Sequence, residues 1–598
     1  MTSKSTLICA ALAATVTLSH AQMTLLSHFS ANQSGGFSAG EIAAFDKGTD
    51  RLFVTSSGSS VYRINIFNMA NPLAVTGTGT IDFSTAFGAT ANMRGLSSVA
   101  VNSDKGFGVA ALLPTANATT AGKIGYFNLA TGAVIGTVDV GFHPDSVSFS
   151  PDGSRLIVVN EGEFNANTNT GGTGNLNTNS GNVNAPGSLT VVNVSTINSG
   201  NLANLTSLTA VTRDFSSGNL GAGVNLNGIR NSNLTAVQTS GTFINAVPDF
   251  STPAIGIENA IEPEYASVIG DKVYVSLQDN NAIGEYDLTT DTWTKVTSLG
   301  TITQTIDANN TGSPVISISQ SVKGLPMPDT IATYTAGGKT YVVTANEGDA
   351  RNDDRDLSRF GDVAGIDNMN PLVDTDSPSN FLNTGTNANN GVRSDAQLGR
   401  LNISRLDGDT DGDGKIDAPT MIGTRSMSIW EVTAGGLTRV YDSGSFFETY
   451  IRDNDAAGWV DDRSDDKGPE PEGLTLGEIE GRTYAFIGME RTNGILMLDV
   501  TNPTNVTMSG YQRVVETDGS PTSGTPHRPE SLSFVSAADS PNGQNLLIVG
   551  FEGTGNGSEA ASERIAIFSV VPEPSTALLL GVAGVALALR RRARRVAA

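Results

Sequence analysis

One cysteine, four histidines and three tryptophans are all that 598 residues contain of those types. The cysteine, Cys9, lies in an N-terminal apolar stretch, so once that stretch is removed the chain has no disulfide and no thiol chemistry. Beyond that stretch histidine is confined to His28, His143 and His527, and none is spaced as a metal-binding pair. Charge is sparse at 16%, and basic charge is sparser: 36 Lys and Arg stand against 60 Asp and Glu, a net −24. That balance excludes nucleic acid as a partner, because a phosphate backbone demands clustered Lys and Arg. It favours solubility and cation binding instead. A His-Glu-x-x-His helix and a phosphate-binding glycine-rich loop are both missing. The middle of the chain also lacks a convincing amphipathic helical period.

What the chain has is glycine, 67 residues of it, with abundant Asn, Ser and Thr. Turn residues between short alternating runs predict an all-β fold. One phrase recurs seven times: an acidic or small polar residue, often after Pro, opening a strand. The copies begin at Glu41, Ser97, Pro144-Asp145, Pro263-Glu264, Pro328-Asp329, Pro471-Glu472 and Pro529-Glu530. Each is followed by a second strand, such as Leu156-Ile157-Val158-Val159 or Leu546-Leu547-Ile548-Val549, and several by a third, such as Ile495-Leu496-Met497-Leu498. Strands in sets at irregular spacings of about 45 to 145 residues predict a seven-bladed β-propeller with long loop insertions. The insertions include Asn165 to Asn184 and, in the fifth blade, roughly Asp349 to Thr424. Both read as surface loops, too polar to pack as domains. Met23 to Phe29 is a candidate strand for closing the last blade.

Both ends carry addresses. Lys4, the apolar run Leu7 to Leu18 and Ser19-His20-Ala21 predict a secretory signal peptide over residues 1–21, with the mature chain starting near Gln22. At the other end Pro572-Glu573-Pro574 precedes an apolar run to Leu589 and the cluster Arg590-Arg591-Arg592-Ala593-Arg594-Arg595. From Thr576 to Leu589 a helix would measure about 21 Å, short of the roughly 30 Å hydrocarbon core unless the arginines snorkel. Those arginines set this end on the cytoplasmic side. The order of signature, apolar helix and Arg cluster over residues 571–598 resembles the PEP-CTERM sorting signal. The resemblance implies an exosortase-type processing enzyme, a transient inner-membrane anchor, and delivery to the bacterial surface or extracellular matrix.

A second resemblance covers the span between the two signals, residues 22–570. Gly324-Leu325-Pro326-Met327-Pro328-Asp329, Ala345-Asn346-Glu347-Gly348-Asp349-Ala350-Arg351, Gln397-Leu398-Gly399-Arg400-Leu401, Arg425-Ser426-Met427-Ser428-Ile429-Trp430 and Asp461 to Gly473 resemble the choice-of-anchor I domain. That family consists of secreted propeller proteins with interchangeable anchors. Its Pro-Glu-Gly phrase is also similar, more distantly, to phytase-like esterase propellers.

In such a propeller the first strand of each blade lines the central channel. Glu41, Asp145, Glu264, Asp329, Glu472 and Glu530 are then expected as a ring of carboxylates at one mouth, with Glu161, Glu347, Glu490 and Glu552 as a second tier. Hard oxygen ligands suit Ca²⁺ or Mg²⁺. The competing expectation is that most of them latch the blades by accepting backbone N–H bonds. One motif is sharper: Asp409, Asp411, Asp413, the Lys415 carbonyl and Asp417 match an EF-hand-like calcium loop, with Thr420 where the bidentate Glu would stand. Its expected role is to order the fifth-blade insertion. No catalytic residue is assigned. The leading expectation is a non-enzymatic surface module that binds a polymer, protein or small ligand. The alternative is a calcium-dependent phosphoester hydrolase, in which acids with Arg351, Arg355 and Arg463 hold metal and phosphate.

Overall fold

The computed structural model describes residues 22–31, 39–58, 61–116, 119–162, 164–165, 183–230, 238–239, 242–243, 257–310, 316–349, 357–360, 395–404, 407–408, 418–514, 527–553 and 563–571. These residues build seven four-stranded antiparallel sheets. Their first strands are Ala39–Asp46, Met93–Asn102, Pro144–Phe149, Pro263–Ile269, Ile331–Ala336, Pro471–Ile479 and Pro529–Val535. Each first strand touches the next, and the seventh touches the first, so the contacts close a cycle. The result is an all-β, propeller-like ring.

Sequence explains the order within each sheet. Second strands such as Phe107–Pro114 and Asn545–Phe551 are near-continuous apolar runs and are buried on both faces. Outer strands such as Thr76–Asp82 alternate or are exposed, as an edge requires. Seven apolar clusters fill the gaps between adjacent sheets, one for each neighbouring pair. The pair between the fourth and fifth sheets, for example, shares Tyr274, Ile283, Ile331, Val342 and Trp430.

The ring is closed by the chain's early residues. Gln22–Ser30 forms the outer strand of the last sheet, pairing with Arg564–Val571 so that Gln22 faces Val571. The candidate closing strand therefore does close the last sheet.

Two expectations need correction. The fifth-sheet insertion is more than a polar loop: Phe360, Leu398, Leu401, Ile403 and Met421 are buried with Ile306, Ala308 and Val322 in a separate small core. A three-stranded sheet accompanies it, in which Gln320–Leu325 pairs antiparallel with Ile302–Ile306 and parallel with Thr420–Ile422. The described residues also hold one α-helix, Phe446–Asn454, which buries Phe447 and Ile451 against the fifth and sixth sheets. Nine residues give it too few turns to stand out as a periodic pattern.

No helix among the described residues is long and apolar enough to cross a membrane. Both terminal signals lie outside the described residues.

Candidate functional site

Antiparallel pairing brings the start of each first strand beside the end of its second strand, as in Pro144 opposite Asn160 and Pro471 opposite Met489. Both predicted tiers of acids therefore gather at the same mouth. Four openings share an unusual backbone: His143, Met327, Glu470 and Arg528 have φ of 45°, 44°, 52° and 61°, and each precedes Pro and then a carboxylate. The turn aims the second tier as well. Glu161 N–H donates to His143 O (2.8 Å), Glu490 N–H to Glu470 O (2.8 Å) and Glu552 N–H to Arg528 O (3.0 Å).

The Asn-Glu-Gly phrases have separate duties at each position. Asn160 and Asn346 are fully buried and donate to hydroxyls of the third strand, Ser188 and Thr190 in one sheet, Ser426 and Ser428 in the other. Gly348 has φ +81°, and a Cβ there would lie 2.1 Å from Gly423 N, so only glycine fits. The Glu between them is thereby fixed at the mouth.

Two triads of acids converge. Oxygens of Asp145, Glu161 and Glu264 lie within 4.8 Å of one another, and so do those of Glu347, Glu472 and Glu490. Each triad mixes the two predicted tiers and links two sheets. Burial, reinforced by Glu161, Asp145 and Asp329, pushes Glu264 well above its ordinary value. Burial with Glu347 and Asp145 does the same to Asp329, and burial with Glu530 and Glu490 to Glu472. Tyr265 sits among them: burial, then Asp329, Asp145, Glu530 and Glu472, raises its phenol strongly. Beneath the mouth a channel of about 480 Å³ is lined from all seven sheets, by Ala43, Val99, Val147, Ala266, Ile331, Leu474 and Leu532 among others.

Among the described residues the two triads meet different bases. His143 Nδ1 meets Glu161 Oε2 at 2.7 Å. Around the second triad, Lys467 Nζ lies 2.6 Å from Glu347 and Arg491 Nη1 2.8 Å from Glu490. Although burial opposes it, Lys467, Arg491 and Arg463 together hold the fully buried Glu470 down to about 2. Hydroxyls latch neighbouring sheets: Ser97 Oγ to Pro144 O (2.6 Å), Ser146 Oγ to Glu264 O (2.6 Å), and Thr333 N–H to Ser267 Oγ (3.0 Å).

The predicted ring is thus resolved into parts. Asp145 and Glu264 join one triad, and Glu472 joins the other. Asp329 acts electrostatically on Glu264 and Glu472, and Glu530 lines the channel. Glu41 is the third residue of its strand, but its side chain lies outside the described residues, as do Asp409, Asp411, Asp413, Lys415, Asp417, Arg351, Arg355, Pro572, Glu573 and Pro574. Glu470 and Lys467 were missed as site residues. Only their place in the phrase before Pro471-Glu472 marked them. Gly36-Phe37-Ser38-Ala39-Gly40 has the spelling of a nucleophile elbow, yet it runs into the strand Ala39–Asp46 and not into a helix, so the strand–turn–helix context fails.

A propeller-like ring with an acidic, partly base-balanced mouth defines the class. The sequence profile of the choice-of-anchor I domain matches residues 41–503, and the chain belongs to that family. Residues 570–592 match the PEP-CTERM protein-sorting motif, which marks an exported, cell-surface-associated protein and implies an exosortase-type system. Gigasin-3a of Magallana gigas is 30% identical over 185 residues, 27% of this chain. The mesenchyme-specific cell surface glycoprotein of Strongylocentrotus purpuratus is 27% identical over 220 residues, 31% of this chain. The chain spans 64% and 27% of those relatives' lengths. Among solved structures, Kuenenia stuttgartiensis hydrazine synthase is 10% identical with a TM-score of 0.39, covering 91% of this chain and 97% of its own. The Cps50 (Swd1) β-propeller domain of Myceliophteria thermophila is 8% identical with the same score, covering 92% and 100%. At that score neither bears on the argument, and the fold rests on the sheet order itself.

Proposed function

We propose that the chain is a seven-bladed β-propeller that serves at the bacterial surface or in the extracellular matrix as a calcium-stabilised binding and structural module. The C-terminal apolar helix anchors the precursor in the inner membrane until an exosortase-type enzyme acts at Pro572-Glu573-Pro574. The observation that carries the reading is the pair of convergent carboxylate triads at one mouth. A hard cation favours the ionised form of grouped carboxylates, which burial otherwise opposes. The predicted calcium loop lies outside the described residues; on its two flanks Ala418 N–H donates to Gly408 O at 2.9 Å.

Calorimetric titration of the full chain with calcium tests this. An Asp411→Ala/Asp413→Ala variant should lose the loop site and keep the mouth, whereas Glu264→Gln should reduce the rest. Absence of calcium binding in the parent chain would refute the calcium-stabilised reading.

One observation favours a second reading, calcium-dependent phosphoester hydrolysis: acids and bases are grouped on one rim around Arg463, Lys467 and Arg491. Against it, Asp349 and Asp466 stand among those bases, where they would repel a dianionic phosphate. Calcium-dependent turnover of phosphoesters that disappears in Glu472→Gln would establish it.

A further inference from the structure

Beside the second triad, Glu470 works as a post for two guanidinium groups. Arg463 donates to its Oε1 from Nε (2.9 Å) and Nη2 (2.6 Å), and Arg491 donates to its Oε2 from Nε at 3.0 Å. Arg463 Nη2 also meets Asp466 at 2.8 Å, and Arg491 Nη1 meets Glu490. Arg463 Nη1 and Arg491 Nη2 have no partner among the described residues, and both side chains line a cavity of about 410 Å³. A guanidinium held from behind along one edge is pre-set to receive an oxyanion on the other.

The remaining lining narrows the ligand. Asp349 and Asp466 add two carboxylates to the lining, which would repel a dianionic phosphate more strongly than a singly charged carboxylate. The same two groups, with Asn402, are well suited to accept and donate hydrogen bonds to hydroxyls. Leu357, half-buried and packed on the buried Ile422, adds a small apolar patch of the kind the C–H side of a sugar ring covers. The volume lies within the ordinary range for small-molecule sites.

We propose that this cavity binds a carboxylated sugar unit, a uronate residue of an acidic polysaccharide. The two guanidinium edges take the carboxylate, the acids and the amide take ring hydroxyls, and Leu357 takes the ring face. The proposal rests on the binding-module reading above and supplies its ligand chemistry.

The test is titration of the full chain, in calcium-free buffer, with unesterified trigalacturonate, its methyl ester and inorganic phosphate. Trigalacturonate should bind. The ester, which keeps every ring hydroxyl and loses only the charge, should bind about tenfold more weakly or worse. Arg491→Lys keeps the charge but loses the fork, and should weaken binding by a similar factor while the thermal melt stays close to that of the parent. Should that variant fail to fold, Asn402→Ala, which removes the amide beside Asp466 and leaves both guanidinium groups in place, should weaken the acid and its ester alike. No binding of trigalacturonate, equal binding of the ester, or tighter binding of phosphate would overturn the assignment. A calcium titration of the same sample separates the two readings. Calcium uptake without uronate binding removes only the sugar, and loss of both removes the module as well.

Discussion

Replacing Arg425 by Met should loosen the rim of the candidate site without altering any side chain that lines it. Arg425 is 1% exposed, and its two terminal nitrogens make four bonds. Nη1 donates to Asp307 O (2.7 Å) and Glu448 Oε1 (2.6 Å), and Nη2 to Ser464 O (2.8 Å) and Asp466 O (2.7 Å). The segment so pinned carries Arg463, Lys467 and Glu470. Burial raises Glu448 and Arg425 pulls it back, so removal of the arginine strands a buried carboxyl and three carbonyls. Breaking such a pair from one side costs about 3–5 kcal/mol. Protonation of Glu448 caps the charge part of that cost, and about 4 kcal/mol is the working figure.

The loss should be local before it is global, because the seven inter-sheet cores do not depend on this segment. At about 1.4 kcal/mol per decade, amides of the helix Phe446–Asn454 should exchange roughly a thousandfold faster in native-state hydrogen exchange. Amides of the buried second strands should be little affected. An Arg425→Met/Glu448→Leu double variant should recover about half of the loss, since it replaces the pair by apolar volume. A change below tenfold in the helix, or a double variant as damaged as the two singles summed, would refute the reasoning.

Other expectations are shorter. Folded-state pKa values of Glu264, Asp329, Glu472 and Glu490 are raised, so above about pH 4 the folded chain holds protons that the unfolded chain has released. Cation-free stability should therefore fall as pH rises through that range, and calcium should raise Tm more at pH 8 than at pH 5; a cation-free Tm that climbs between those values would contradict this. Gly348→Ala should cost more than about 2 kcal/mol in denaturant melts, because a left-handed φ and a backbone clash coincide. Gly270→Ala is its control, with φ +58° and nothing within 4 Å, and should cost only about 1 kcal/mol. Deleting Gln22–Ser30 would bare the buried strand Arg564–Val571 as an open edge, and size-exclusion chromatography should then show self-association.

The architecture was legible because each sheet opens on the same phrase and its second strand is apolar throughout, a signal that long insertions do not erase. Closure of the ring was half legible: Met23 to Phe29 looked like a strand, but only pairing data show that Gln22 meets Val571. The small core of the insertion was hidden for a different reason. Its members, Ile306, Val322, Phe360, Leu398, Ile403 and Met421, are single apolar residues scattered over more than a hundred positions, so no local window is hydrophobic enough to announce it. At the mouth the acids were found and their grouping was not. Sequence suggests an even ring, whereas the chain draws them into two triads, one of them beside Lys467 and Arg491.

That uneven grouping follows from the backbone more than from the acids themselves. His143, Met327, Glu470 and Arg528 share no side-chain chemistry, yet all four adopt left-handed φ immediately before Pro. For a non-glycine residue that conformation costs roughly 1–2 kcal/mol, and a following proline makes it less favourable still. Four repetitions at equivalent places mean that the turn is what the fold retains, and that the surrounding sheets supply the energy to hold it. In three of the four the turn's carbonyl receives the N–H of Glu161, Glu490 or Glu552, so strain in the opening is converted into a fixed position for the second-tier acid. The opening at Pro263-Glu264 lacks the left-handed residue, and Glu264 is the acid that reaches across to the neighbouring sheet's Asp145 and Glu161. The second triad forms where the turn is kept, at Met327 and Glu470, so the turn fixes the second-tier acids and the reach of the neighbouring first-tier acid completes each group.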